Sequence, residues 1–206
     1  MARAVFRKIF AIAALSLTLS AAPAAAQLYS DGYEFLKAVK DRDGDKVTQA
    51  LNEPGSVIVN TRDITSGESA LHIVTKRRDV TWIKFLAQRG ANPNIRDKNG
   101  VTPLQIASSL GFIDGVDALI AAGADVDESN TAGETPLIAA VHRRDTALVR
   151  LLLSKGANPD RSDNSGRTAR DYVQLVNGNS QLLKEFEDAD AERASAKEVK
   201  NYGPIL

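Results

Sequence analysis

The sequence contains no cysteine and only two histidines among its 206 residues. Without cysteine there is no disulfide framework, no thiol nucleophile and no cysteine that could carry a lipid. The two histidines, His72 and His142, do not form a His-x-x-x-His pair, and no phosphate-cradling glycine loop is present. These absences predict a protein with no catalytic residues, no metal site and no cofactor.

An excess of charge of one sign is also lacking, since 26 lysines and arginines balance 26 aspartates and glutamates. Nucleic-acid-binding proteins typically carry a basic excess that neutralises phosphates, so nucleic acid is not an expected partner. Aspartate pairs such as Asp160 and Asp163 fall in predicted turns, where carboxylates stabilise the local backbone. A calcium loop would need a denser and regularly spaced set of oxygen ligands.

The first 26 residues have the composition of a secretory signal peptide. Three basic residues within positions 3–8 precede an apolar run over positions 9–19, and Ala24-Ala25-Ala26 forms a small-residue cleavage site. We expect cleavage after Ala26. The alternative is an uncleaved anchor helix, but the run is shorter than the roughly 20 apolar residues that span a bilayer. Cleavage would remove three cations and leave 23 basic residues against 26 acidic ones, a net charge of −3.

Glycines recur along the rest of the chain with a period of 33 residues. One series begins the Gly-Ala pairs at positions 90, 123 and 156, and a second series falls at positions 67, 100, 133 and 166. The first series is typical of helix ends, and the second is typical of turn tips that need a positive φ. Thr102-Pro103-Leu104 and Thr135-Pro136-Leu137 each place a capping hydroxyl before a proline, which predicts a helix start.

This combination of period, turn glycines and helix caps resembles the ankyrin repeat, a β-turn followed by two antiparallel helices with a Thr-Pro-Leu-His signature. The best-matching stretch is GANPNIRDKNGVTPLQIASSLGFIDGVDALIAAGADVD, residues 90–127. The resemblance covers most of the chain after residue 30. It implies an all-α ankyrin-repeat solenoid of about five helical pairs, of which the outer two are degenerate caps.

The predicted ankyrin-repeat domain spans residues 27–190 and is followed by a polar tail. Its units are expected at about 31–56, 57–89, 90–122, 123–155 and 156–190. Residues 191–206 hold many charges and few apolar side chains, which predicts a frayed helix or disorder.

The third unit departs from its neighbours at Gly115. Trp82 occupies the same position one period earlier, and Leu148 occupies it one period later. A small residue between large ones favours interdigitation, with Trp82 reaching into the space above Gly115. A loosely packed third unit is the alternative.

The histidines have different predicted roles. His72 takes the place of the histidine in the family signature, which braces neighbouring turns, and the resemblance implies that role here. His142 lies at the end of a first helix, where the family exposes side chains to partners, and a solvated surface histidine is the alternative. The motif Gly67-Glu68-Ser69 lacks the strand-turn-helix context of a hydrolase nucleophile, and Ser69 is explained as a helix cap.

In ankyrin stacks, the turn tips and the ends of the first helices line one concave face, which implies a set of protein-binding candidates. The turn candidates are Asp63, Glu68, Arg96, Lys98, Asn99, Val101, Thr131, Glu134 and Arg167, and the helix-end candidates are Lys76, Arg77, Ser109, Leu110, His142 and Arg143. Two of the three helix-end pairs are basic and the middle pair is partly apolar. We expect a groove with an exposed Leu110 between positive shoulders, suited to an acidic or amphipathic protein segment. For any single candidate, an ordinary solvated side chain is the alternative.

The resemblance implies a non-enzymatic protein–protein interaction scaffold, expected to be a monomer with no membrane span after cleavage. The signal peptide is of a bacterial kind, and eukaryotic ankyrin proteins are mostly cytosolic, which favours the periplasm over secretion. The alternative is a secreted effector or toxin-neutralising protein that acts outside the producing cell. An enzyme would need a converging polar pocket that the sequence does not indicate.

Overall fold

The computed structural model describes residues 24–175 and 180–201, and within these ranges the chain forms five successive pairs of α-helices. The helices are α1 (Ala24–Asp41), α2 (Gly44–Asn52), α3 (Ala70–Lys76), α4 (Val80–Gln88), α5 (Pro103–Leu110), α6 (Ile113–Ala121), α7 (Pro136–His142), α8 (Thr146–Ser154), α9 (Ala169–Leu175) and α10 (Ser180–Asn201), with a short 3-10 helix at Ile58–Asn60. The all-α repeat architecture expected from the sequence is confirmed. The predicted basic start and apolar run of the signal peptide lie outside the described residues.

The first helices of the third and fourth units begin as the Thr-Pro motifs predict. The Thr102 hydroxyl accepts a hydrogen bond from the Gln105 backbone N–H at 3.3 Å, and the Thr135 hydroxyl accepts one from Ile138 at 3.2 Å. Each proline occupies the first turn, where its missing N–H leaves no donor unpaired.

Three of the second helices begin at an aspartate that caps the first turn. The Asp43, Asp79 and Asp145 carboxylates each accept the backbone N–H three residues later at 3.1 Å. Such caps satisfy one of the four N–H groups that a helix start leaves open. The caps therefore help to fix the residues at which the helices of a pair begin.

Successive turn tips stack on one another through the backbone. The Lys98 N–H donates to the Ser66 carbonyl at 2.9 Å, and two units later the Asn164 N–H donates to the Ala132 carbonyl at 3.0 Å. Gly67 has φ +78°, and a Cβ there would lie 2.8 Å from the Lys98 nitrogen. The turn glycine is needed both for its positive φ and for this close approach.

All the first helices, and the second helices from α4 onward, pack against their counterparts in the next unit. The first helices form the row α1, α3, α5, α7 and α9, and the second helices α4, α6, α8 and α10 form the row behind them. One continuous hydrophobic core runs between the rows from Phe35 to Phe186. Asn99, Thr131 and Ser109 are exposed, so the edge formed by the turns and the first helices is accessible, and we call this edge the concave face, as in the family.

The packing at Gly115 differs from the prediction. A Cβ at Gly115 would lie 2.2 Å from the ring of Phe112, so Phe112 fills the space that the sequence assigned to Trp82. Phe112 stands where the neighbouring units have the capping residues Asp79 and Asp145, and it makes no side-chain cap bond. Trp82 is half-buried, and its ring packs edge-on against Phe85 at a centroid distance of 5.9 Å.

The last helix extends beyond the predicted domain end. α10 continues to Asn201, so the segment from residue 191 is helical as far as the structure describes it. None of the helices in the described residues is long and apolar enough to cross a membrane.

Candidate functional site

Six of the predicted binding residues lie in three facing pairs on the concave face. In each pair the residue after the turn glycine faces the last turn of the first helix eight positions later. Lys76 donates to Glu68, and His142 Nδ1 lies 3.1 Å from Glu134 Oε1. The middle pair is Val101 and Ser109, which carries no charge. The edge formed by these residues therefore has a Lys–Glu pair on one side of the uncharged pair and a His–Glu contact on the other.

A pocket of about 190 Å³ opens at this uncharged pair, between the third and fourth units. It is lined by Val101, Gln105, Ser109, Asn130, Glu134, Thr135 and Ala139. Three of these, Val101, Ser109 and Glu134, are among the candidates predicted from the sequence. The pocket is large enough to hold one side chain of a bound segment.

Ala139 explains why the pocket lies between these two units. The same position carries Ile73, Ile106 and Tyr172 in the second, third and fifth units, so a small side chain stands between larger ones. The missing side-chain volume leaves the space above Ala139 open. Sequence reasoning missed this residue, although a comparison of the four aligned positions would have found it.

Most polar groups of the pocket are already engaged within the stack. Gln105 Oε1 accepts the Thr102 N–H at 2.9 Å, and its Nε2 donates to the Glu128 and Glu134 carbonyls at 2.9 and 3.1 Å. The Ser109 hydroxyl donates to the Ile106 carbonyl at 2.9 Å. The Gln105 and Ser109 side chains are therefore occupied, and Val101 and Ala139 give the pocket apolar walls.

His72 has the structural role that the sequence predicts. Its Nδ1 accepts the Ser69 backbone N–H at 3.1 Å, so the ring proton is on Nε2, which donates to the Val101 carbonyl of the next turn at 3.0 Å. Burial lowers the pKa of the His72 imidazole below its ordinary value. The Ser69 hydroxyl lies 2.8 Å from Nδ1, but both residues are buried, so the pair is not available to a substrate.

Two predicted binding residues, Arg77 and Arg96, donate hydrogen bonds within the stack. Arg77 Nη1 donates to the Val39 carbonyl at 2.5 Å, and its guanidinium lies 4.8 Å from the Trp82 ring centroid. Arg96 Nη1 donates to the Ser129 carbonyl at 2.7 Å and pairs with the Glu128 carboxylate. Both arginines connect adjacent units, so only part of each guanidinium faces the groove.

The remaining turn candidates lie along the outer rim of the concave face. Lys98 Nζ donates to the Ile64 carbonyl at 2.6 Å, and Arg167 lies 5.9 Å over the Tyr172 ring. The Asp63 carboxylate accepts backbone N–H groups of its own turn, which lowers its pKa. Asn99 and Thr131 are exposed at the turn tips.

The positive shoulders differ from the expected arrangement. Leu110 is half-buried against the core and not exposed between them. Arg143 Nη1 donates to the Ser109 carbonyl at 3.0 Å, and Arg78 Nη2 donates to the Leu110 carbonyl at 2.5 Å. The guanidiniums of Arg78, in the second unit, and Arg143, in the fourth unit, therefore both contact the C-terminal end of α5. Arg78 was not among the residues predicted from the sequence.

Comparison with known proteins identifies the repeat and several relatives. The family model for ankyrin repeats, described as three copies, matches residues 35–130 and 116–191. The chain is 35% identical over 95 residues to protein phosphatase 1 regulatory subunit 27 of Homo sapiens. The aligned residues cover 43% of this chain and 62% of that protein.

Two further relatives are named for enzyme activities. Glycerophosphocholine phosphodiesterase gde1 of Schizosaccharomyces pombe is 41% identical over 69 residues, 33% of this chain and 6% of that protein. The 2-5A-dependent ribonuclease of Homo sapiens is 32% identical over 83 residues, 40% of this chain and 11% of that protein. The chain thus spans less than two thirds of the length of each relative named here, and only a small fraction of the two enzymes.

Proposed function

The chain belongs to the ankyrin-repeat family, and we propose that it acts without catalysis, by binding a partner protein on its concave face. Ankyrin repeats are protein–protein interaction modules, which fixes the general role. The finer proposal concerns the place of binding and the kind of partner. We infer that the partner contributes an acidic or amphipathic segment that lies along the turn tips and the ends of α3, α5 and α7.

The pocket between the third and fourth units is the observation that supports this choice of surface. Its lining includes Val101, Ser109 and Glu134, all of which are expected to face a partner on family grounds alone. Small apolar pockets with a few polar groups are where binding hot spots concentrate. A stack braced by backbone and side-chain bonds between units is already rigid, so little ordering entropy on this side opposes association.

We also propose that the protein works in the bacterial periplasm after removal of residues 1–26. The support is the basic, apolar and small-residue order of that segment. Fractionation of the producing cell tests the location. Recovery in the periplasmic fraction with Gln27 as the first residue is expected, whereas recovery from the culture medium would favour the secreted effector or toxin-neutralising alternative.

Site-specific photo-crosslinking in the producing cell tests the binding surface. A photoreactive amino acid at Ser109 should give a discrete adduct, and the same amino acid at exposed Lys84 on α4 should not. Equal adducts at both positions, or none at Ser109, would contradict binding on the concave face.

A pocket-filling variant tests the pocket, and the same substitution at an exposed alanine is its matched control. Ala139→Leu occupies the pocket without removing any hydrogen bond, so we expect the Ser109 adduct to fall to background. Ala147→Leu makes the same change at an exposed position on α8 and should leave the adduct unchanged. If Ala139→Leu left the adduct intact, the partner would not use the pocket.

A further inference from the structure

Arg78 and Arg143 approach the same helix end from opposite sides. Arg78 belongs to the second unit and donates to the Leu110 carbonyl at 2.5 Å, whereas Arg143 belongs to the fourth unit and donates to the Ser109 carbonyl at 3.0 Å. These two carbonyls are consecutive at the C-terminal end of α5. The negative end of the helix dipole therefore holds two cations at one point.

The third unit itself supplies neither a cation nor a carboxylate at this place. Its Ser-Leu-Gly-Phe sequence at positions 109–112 replaces Lys-Arg-Arg-Asp at 76–79 and His-Arg-Arg-Asp at 142–145. Gly111 has φ +63°, and a Cβ there would lie 2.6 Å from Arg143 Nη2, so the glycine makes room for the guanidinium. Phe112 removes the carboxylate that the other two units have at this position.

The two guanidiniums lack an anionic partner within the part of the chain that the structure describes. Arg77, Arg96, Arg150 and Arg170 each pair with a carboxylate, but no ion pair among residues 24–175 and 180–201 involves Arg78 or Arg143. Each guanidinium has five N–H donors, and one of them donates to a carbonyl of α5. Both side chains belong to exposed residues, so the remaining donors can reach a ligand.

We propose that Arg78 and Arg143 form a carboxylate clamp for an acidic side chain of the bound protein segment, an inference that rests on the proposed concave-face binding. Guanidinium groups match a carboxylate in a planar, two-bond geometry, and a carboxylate between two of them relieves their mutual repulsion. Ser109 connects the clamp to the pocket, since its carbonyl receives Arg143 and its side chain lines the cavity. The segment therefore places an acidic residue at the clamp and a neighbouring apolar side chain in the pocket above Ala139.

Titration with blocked dipeptides tests the clamp directly. The probes are N-acetyl-Leu-Glu-amide and its neutral counterpart N-acetyl-Leu-Gln-amide, followed through the Nε–H NMR signals of assigned arginines. We expect the acidic dipeptide to shift the Arg78 and Arg143 signals saturably below roughly 20 mM, a range that covers millimolar dissociation constants. The neutral dipeptide should produce no saturable shift at these two arginines.

Substitutions separate the clamp from general attraction to a basic rim. Arg78→Gln and Arg143→Gln should each weaken binding of the acidic dipeptide at least several-fold, whereas Arg144→Gln, at an exposed neighbouring arginine, should not. Circular dichroism and melting curves establish that each variant is folded. Equal shifts with both dipeptides, equal weakening by Arg144→Gln, or saturable shifts with inorganic phosphate alone would overturn the carboxylate clamp.

The two proposals fail in different ways. A Ser109 crosslink with no dipeptide binding would retain the concave face as the binding surface and remove the clamp. Dipeptide binding without a specific crosslink at Ser109 would retain an anion site on the protein and contradict the proposed function.

Discussion

His72 and Gln105 occupy the same position in consecutive repeats and make equivalent hydrogen bonds. His72 accepts the Ser69 N–H and donates to Val101, and Gln105 accepts the Thr102 N–H and donates to Glu134, each across to the next turn. The difference is that only the imidazole can take up a proton. Protonation of His72 would turn Nδ1, which accepts the Ser69 N–H, into a donor. Two donors would then face each other, so the hydrogen bond that positions the ring would be lost.

This difference predicts how acid affects stability. Burial lowers the pKa of His72 from its ordinary value of 6.5, so below pH 6.5 the unfolded chain binds a proton more readily than the folded one. The free energy of unfolding should therefore fall as the pH drops from 6.5 towards the folded pKa. His72→Gln should keep both hydrogen bonds and lose this part of the acid dependence, which urea unfolding at a series of pH values would measure.

The comparison variant is His72→Ala, which removes both bonds at every pH. It should lower the free energy of unfolding by about 1–3 kcal/mol at neutral pH, because the Ser69 N–H and Val101 carbonyl lose a buried partner. If His72→Gln retained the full acid dependence of the wild type, another group would be responsible.

At the residue scale, the sequence predicted the roles of residues that recur at fixed positions of the repeat. The cap by Thr102 follows from its Thr-Pro motif, and the bracing role of His72 follows from its place in the family signature. The contacts of Arg78 and Arg143 depend on what an adjacent unit lacks, and the pocket depends on Ala139 being smaller than Ile106 and Tyr172 beside it. These contacts depend on departures from the repeat in an adjacent unit, which the recurring pattern does not indicate.

At the level of elements, α6 begins differently from the other second helices. α4 and α8 begin with an aspartate cap followed three residues later by a large side chain, Trp82 or Leu148. α6 begins with Phe112 and has Gly115 at the third helical position. Because a Cβ at Gly115 would lie 2.2 Å from the Phe112 ring, the two substitutions depend on each other. In these three helices, an aspartate cap accompanies a large residue three positions later, and a phenylalanine at the cap position accompanies a glycine.

A double-mutant cycle tests this dependence. Gly115→Leu should lower the free energy of unfolding by about 2 kcal/mol or more, because it forces the buried Phe112 ring out of its position. Phe112→Asp together with Gly115→Leu restores the α8 pattern and should show a favourable coupling of at least about 1 kcal/mol relative to the two single variants. Urea midpoints of the four proteins measure the coupling, and additive effects would show that Phe112 and Gly115 are independent.

The start of α6 also shows a limit of the sequence prediction. Gly115 was identified as a gap correctly, but the prediction filled it with Trp82 from the preceding unit. Phe112, three residues before Gly115, lies closer to Gly115 than Trp82 of the neighbouring helix α4 does. Phe112 aligns with the aspartate caps Asp79 and Asp145, and this alignment does not indicate that its ring packs over Gly115 of its own helix.

At the scale of the whole molecule, α10 covers the hydrophobic core at one end of the described stack. α10 closes the stack by packing against α8 and α9. Leu182 and Phe186 are buried on its inner face, and the buried Glu185 receives both a 2.8 Å and a 2.5 Å hydrogen bond from Arg150 of α8. The Arg150 hydrogen bonds lower the pKa of Glu185, so this contact weakens in acid. α10 thus covers the core on the far side of α8 and α9.

In a solenoid held together by nearest-neighbour contacts, loss of a terminal side chain should act locally. Phe186→Ala empties a large buried site and should cost about 3 kcal/mol in the opening free energy of the last unit. Hydrogen exchange should speed up in α9 and α10 with little change in α3 and α5, because each repeat is stabilised mainly by its neighbours. Leu183→Ala, at a side chain that is 42% exposed on the same helix, should leave exchange unchanged. If α3 lost as much protection as α10, the stack would open as one cooperative unit, and α10 would then control the stability of the proposed binding surface.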